Sequence, residues 1–234
     1  MIPAVAVAAG AIAQWVSGIG FSLVCAPILI AVLGPLEGVR TALVLSSFLN
    51  LTLIAGRRRD LLVREGALLL VPAVAVTPLV AAAVRGVDAR WLAGTAGLLT
   101  VVSAVALAAG VRWERGAGPH AAAVAGVLSG TMNVIGSIGG PAAALYAVNA
   151  GWPPARMRPT LQVVFLVSNG VALVALGLPQ ARHVAGPLAG LVVGWIVGWW
   201  LDPRVPHDLA RRLTLAVAAV GGAVAIGRAV FGWG

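Results

Sequence analysis

The chain has 234 residues, a formal charge of +9 and a mean hydropathy of +1.00, with 60% hydrophobic and only 10% charged residues. An ordinary globular domain is about a quarter charged. These values exclude a sizeable soluble domain and leave a polytopic membrane protein, because apolar stretches near 20 residues recur along the whole length.

The opening MIPAVAVAAG carries no basic residue, so no cleaved signal peptide is expected. The first apolar stretch, Ile2–Leu33, is 32 residues long. That is too long for one straight crossing and short for two with a loop. It is interrupted at Ser17-Gly18-Ile19-Gly20. Cys25 is the single cysteine, which excludes an internal disulfide and reads as a small packing residue. Val39–Ala55 is a clear span, closed by the run Arg57-Arg58-Arg59-Asp60, and Gly66–Val84 and Trp91–Val111 follow. Arg112–Pro119 is a short polar loop.

His120–Ala150 is the second interrupted stretch, 31 residues long, and it breaks at Gly136-Ser137-Ile138-Gly139-Gly140-Pro141. Glycine weakens a helix, and proline suits the first turn of a new one. Each stretch therefore reads as two short helices around a break, the second starting near Phe21 and near Pro141. Three spans complete the chain: Leu161–Leu178, Val184–Leu201 and Leu213–Phe231. Trp91, Trp113, Trp152, Trp199, Trp200 and Trp233 lie near segment ends, where indole prefers the interface.

All 16 basic residues are arginines, placed at the ends of apolar segments rather than in a patch for nucleic acid. If each broken stretch returns to its starting side, 11 of them share one side (Arg57, Arg58, Arg59, Arg64, Arg112, Arg115, Arg156, Arg158, Arg204, Arg211, Arg212). The other side keeps Arg40, Arg85, Arg90, Arg182 and Arg228. Single crossings would split them 8 and 8. The positive-inside rule favours the return, with both termini outside. Re-entrant hairpins and pairs of short spans both satisfy it.

The halves correspond. Gly34 and Gly151 follow the two broken stretches. Arg40-Thr41 with Asn50, and Arg158-Pro159-Thr160 with Asn169, then place an asparagine nine residues after each threonine. The expected organisation is one all-α membrane domain of two repeats, 1–116 and 117–234, each a broken helical hairpin plus three transmembrane helices. An odd number of spans per half inverts the second repeat, the plan of many secondary transporters.

A break in lipid frees backbone polar groups, which persist only where buried in protein or facing water. A helix N-terminus offers free N–H groups and about half a positive charge, and glycine lets a ligand approach. Two such N-termini meeting in a cavity would hold a small anion. The candidate binding residues are Ser17, Gly18, Gly20, Phe21, Ser22, Asn50, Thr131, Asn133, Gly136, Ser137, Gly139, Gly140 and Asn169. Ser46, Ser47, Gln162 and Ser168 supply further polar groups. Arg40, Thr41, Arg158 and Thr160 read either as interfacial anchors or as the mouth of an anion path. Gly10, Gly94, Gly97, Gly190 and Gly194 read as helix-packing positions.

All seven acidic residues lie at segment ends or loops, so no buried proton relay or cation site is expected. His120, His183 and His207 also lie near ends and form no metal-ligand spacing, so neither a metal, a cofactor nor an enzyme activity is expected.

The stretches GIGFSLVCAPILIAVLG and GSIGGPAAALYAVNAG, the second followed by an Arg and a Thr, resemble the TauE/SafE family of sulfite exporters over essentially the whole chain. The resemblance implies a multi-pass inner-membrane permease for small sulfur-containing or organic anions such as sulfite or sulfonates. The expected function is secondary transport by alternating access. An anion channel and a non-transporting membrane subunit are the alternatives. The expected partners are the small anion and the lipid bilayer, with a homodimer left open.

Overall fold

The computed structural model describes residues 1–18, 20–54, 60–111 and 117–231. Ile19, the Arg57-Arg58-Arg59 run, Arg112, Trp113, Glu114, Arg115 and Trp233 lie outside the described residues. Among the described residues the protein is all helical: α1 (Ile2–Ser17), α2 (Phe21–Leu33), α3 (Pro35–Ile54), α4 (Val63–Val84), α5 (Ala89–Ala108), α6 (Pro119–Gly136), α7 (Gly140–Asn149), α8 (Pro154–Leu176), α9 (Ala181–Leu201) and α10 (His207–Phe231). Six of them, α3, α4, α5, α8, α9 and α10, are long and apolar enough to cross a membrane. They coincide with the six spans read from hydropathy.

The ends differ most at α8, which starts at Pro154 rather than Leu161. Pro154 fixes the first helical φ and suits that position. This draws Arg156 and Arg158 into the opening turns instead of a loop. Gly34 (φ 86) and Gly151 (φ 69) take left-handed backbone at matching points of the two halves, where the chain turns into α3 and α8.

Both interrupted stretches double back. A Cβ on Gly10 in α1 would stand 2.7 Å from Phe21 O and 3.3 Å from Cys25 Cβ, so α2 returns along α1. A Cβ on Gly139 would stand 2.7 Å from Ser129 O and 3.1 Å from Asn133 Cβ, so α7 returns along α6. At about 1.5 Å per residue, α2 and α7 are about 20 Å and 15 Å long. A hydrocarbon core is about 30 Å thick, so neither returning limb crosses alone.

Small residues let these hairpins pack. Gly190, Gly194 and Gly198 of α9 press on Ala4, Ala8 and Ile12–Trp15 of α1, which sets the two helices parallel. Gly126 and Gly130 of α6 press on Leu69 and Ala73 of α4 in the same way. Gly97 of α5 meets Gly222 and Ala225 of α10. Without a hydrophobic driving force between helices in lipid, such close approach is what makes packing favourable. The pairings also exchange between halves. α1 packs on α9 and α10, and α6 on α4 and α5; α3 packs on α9, and α8 on α4. α3–α8 and α5–α10 pair across the halves.

Candidate functional site

The break after α1 is built from glycine geometry. Gly18 has φ 76 and Gly20 has φ 136, values that disfavour any side chain. Gln14 spans the turn: its Oε1 accepts from Phe21 N–H at 3.1 Å, and its Nε2 donates to Gly18 O at 3.4 Å. One free N–H of α2 is thereby taken by the protein, which leaves those of Ser22 and Leu23 for a ligand. At the second break Ser137 takes left-handed backbone (φ 57), alone among described non-glycine residues. Its N–H closes α6 on Asn133 O at 2.8 Å. Ser129 Oγ donates to Gly139 O at 2.8 Å. Pro141 has no N–H, so Gly140 and Ala142 carry the free donors of α7.

The two breaks meet. Ser22 Oγ and Ser137 Oγ lie 3.3 Å apart across 115 residues of sequence. Behind them runs a buried chain of amides and hydroxyls. Asn133 Nδ2 donates to Asn169 Oδ1 at 3.1 Å, and Asn169 Nδ2 donates to Ser46 Oγ at 2.8 Å and Ser47 Oγ at 3.3 Å. Asn133 and Asn169 are 7% and 3% exposed. One turn beyond this chain, Leu43, Val134, Ala172 and Leu176 belong to a closed apolar cluster. Replacing Asn169 by Leu removes three hydrogen bonds across three helices, at about 0.6–1.7 kcal/mol each in membrane proteins. We expect it to cost about 1–3 kcal/mol, read as a lower thermal transition in detergent; an unchanged transition would show that the chain of amides contributes nothing.

In front of the amide chain lies a cavity of about 200 Å³. Eleven of the thirteen candidate binding residues line it: Ser17, Gly18, Gly20, Phe21, Ser22, Asn50, Asn133, Ser137, Gly139, Gly140 and Asn169. Thr131 and Gly136 do not. Gly136 packs under Ile138 and Ala96, and Thr131 sits half-buried on α6. Phe165, Leu161, Met157 and Pro154 add an apolar wall for which composition offers no signal. Gln14 did carry a signal, a polar amide in an apolar stretch beside the break.

The four residues at the candidate path separate. Arg158 lines the cavity, its Nε 3.0 Å from where a Gly18 Cβ would stand. Thr160 Oγ1 instead accepts from Leu62 N–H at 2.9 Å and donates to Arg156 O, binding the start of α4 to α8. Thr41 is fully buried, its hydroxyl without a partner among the described residues. Arg40 caps the end of α8 on Leu176 O and lies 3.7 Å from Glu37.

Four other described arginines are spent in Arg40's manner. Arg85, Arg90, Arg211 and Arg228 donate to carbonyls at or near the C-terminal ends of α8, α10, α5 and α2, where cations are favoured. Arg158 makes no hydrogen bond and no ion pair among the described residues. No acidic residue lines its cavity. A second space of about 280 Å³ shares Gln14, Gly18, Arg158 and Gln162 with the first and adds Trp15, Trp199 and Asp202. Arg158 thus stands between the inner cavity and an outer vestibule. Gln162 is 4% exposed and its Oε1 has no partner.

A helical membrane bundle whose two broken hairpins meet over a cation-bearing, acid-free cavity has the build of a membrane permease for anions. The chain belongs to the sulfite exporter TauE/SafE family, whose model matches residues 2–225. That family comprises membrane transporters of sulfite-type anions. Comparison with curated proteins and with solved structures gives no match.

Proposed function

We propose that the protein is a secondary transporter of a small sulfur oxyanion or short organic anion across the plasma membrane, working by alternating access. The observation that carries this reading is Arg158, which makes no hydrogen bond or ion pair among the described residues and lines a cavity with no acidic residue among them, where two helix N-termini converge. Positive helix ends, serine hydroxyls and one guanidinium together stabilise one negative charge without a buried counter-ion. The volume of about 200 Å³ lies below the 300–1,000 Å³ of drug-sized sites, which supports a small substrate.

Access is one-sided. The cavity communicates with the vestibule at Gly18 and Arg158. The opposite side is filled by the apolar cluster around Leu43 and Leu176. The exchange of packing partners between halves supports two inverted repeats, 1–116 and 117–234, with the arginine-rich loops inside. A channel reading is disfavoured by that apolar cluster, since a conducting pore needs a continuous path.

Purified protein in liposomes tests this. We expect saturable sulfite uptake above empty vesicles, with counter-flow when unlabelled sulfite is preloaded. Uptake equal to empty vesicles for sulfite and short sulfonates alike would sink the transporter reading. Flux without counter-flow would favour a channel.

A further inference from the structure

α5 and α10 pack along their length, with Ala104 and Leu107 in one buried cluster with Leu215 and Ala218. Gly94 and Gly97 press on Ala229 and Gly222–Ala225 near one end of the pair. Toward the other end the two helices together line a groove of about 510 Å³. Ala104 and Ala108 of α5 and Ala216 and Ala219 of α10 line it with small apolar side chains. Asp208, Arg211 and Arg212 stand at its mouth. Two cations against one carboxylate leave the mouth positive. Arg211 donates to Leu107 O at the end of α5, which holds it over the groove, whereas Arg212 is exposed and makes no hydrogen bond or ion pair among the described residues.

We propose that this groove is a binding site for one anionic phospholipid, its phosphodiester on Arg211 and Arg212 and an acyl chain along the alanines. Charge complementarity selects the occupant. Arg211 and Arg212 belong to the arginine-rich end of the bundle, where basic pockets between membrane helices take lipid headgroups. The alanines, with Val105 and Leu215, offer hydrocarbon and no side-chain hydrogen-bond donors, which suits an acyl chain and not a free anion. Asp208 disfavours a second negative charge, so a singly charged glycerol-type headgroup fits better than a phosphomonoester. Arg211 and Leu215 also line a crevice of about 260 Å³ that reaches Ser17, Ala144 and Met157 of the central cavity. The crevice would therefore connect the lipid site with the anion site.

Native mass spectrometry of the full chain, titrated with phosphatidylglycerol, phosphatidylethanolamine or phosphatidylcholine, tests the site. We expect phosphatidylglycerol to be retained over the other two. Each arginine near a membrane surface is worth about 5-fold in binding an anionic lipid, so R212Q should lower retention about 5-fold. R212Q removes no hydrogen bond or ion pair among the described residues, so the fold is expected to be kept. Ala216→Trp fills the groove with both arginines kept, and retention should fall to the background of nonspecific adducts. Equal retention of the three lipids, or unchanged retention in R212Q, overturns the proposal. Displacement of the lipid by millimolar inorganic phosphate would also overturn it, in favour of a free-anion site.

Discussion

Replacing Arg158 by Gln is expected to weaken substrate affinity about 10- to 100-fold while the protein still inserts and folds. The magnitude is that of one charge-assisted hydrogen bond, about 1.5–3 kcal/mol, at 1.4 kcal/mol per decade. Folding is spared because Arg158 holds nothing else: it caps no helix and pairs with no acid among the described residues. Lysine keeps the charge but loses the planar fork, so Arg158→Lys should recover part of the affinity. The measurement is the concentration dependence of sulfite uptake in liposomes, with the variant's thermal transition as a folding control. Arg40→Gln is the matched control. It sits at the corresponding place in the other half, yet its guanidinium is committed to Leu176 O and Glu37. Its replacement should lower the thermal transition and leave affinity within about threefold, the scatter typical of single-interaction estimates. Equal affinity losses in both variants would mean that neither touches the substrate directly. An unchanged affinity in Arg158→Gln would remove the observation on which the proposed function stands.

The contrast between these arginines shows where sequence reading stops. Their neighbourhoods match in order, Arg40-Thr41 with Asn50 against Arg158-Pro159-Thr160 with Asn169, with Pro159 added in the second. From spacing alone they are equivalent. The structure separates them, because Leu176 O and Glu37 engage Arg40, whereas Arg158 makes no hydrogen bond or ion pair among the described residues. Such asymmetry depends on which helix end arrives opposite each arginine, a long-range property absent from local pattern.

The spans, by contrast, were legible, since about 20 apolar residues leave few alternatives in a bilayer. The breaks were legible too. Gly18, Gly20 and Gly139-Gly140-Pro141 interrupt helices by their own backbone chemistry, wherever the neighbours lie. Of the candidate site, the polar residues at the breaks line one cavity. Phe165, Met157 and Leu161 were invisible, because an apolar side chain facing a cavity looks the same in sequence as one facing lipid. Thr131 was drawn in by its position between Ser129 and Asn133. On a helix, residues two apart face different ways, and the face of Ser129 and Asn133 is the one turned to the break.

The two glycines Gly139 and Gly140 look interchangeable in sequence, and they separate cleanly as a test. A Cβ on Gly139 would stand 2.7 Å from Ser129 O and 3.0 Å from Ser129 Oγ, groups fixed within α6. Any side chain there pushes α6 and α7 apart. We expect Gly139→Ala to cost about 1–3 kcal/mol by overpacking, with flux and stability falling together. A Cβ on Gly140 meets only Phe165, at 3.7 Å and 3.9 Å, which is ordinary contact, and the residue faces the cavity. Gly140 begins a helix directly before Pro141, where proline disfavours the helical region for any residue with a Cβ. Gly140→Leu therefore fills the cavity at a modest cost in stability. It should abolish flux while the thermal transition falls by less than in Gly139→Ala. Gly140→Ala, one carbon larger than the native residue, should keep measurable flux with a weakened affinity. A loss of stability as large as that of Gly139→Ala would place the residue in packing, beside Gly139. Full flux with full stability would mean that the anion does not pass between the two helix N-termini, and the path would have to be sought elsewhere in the bundle.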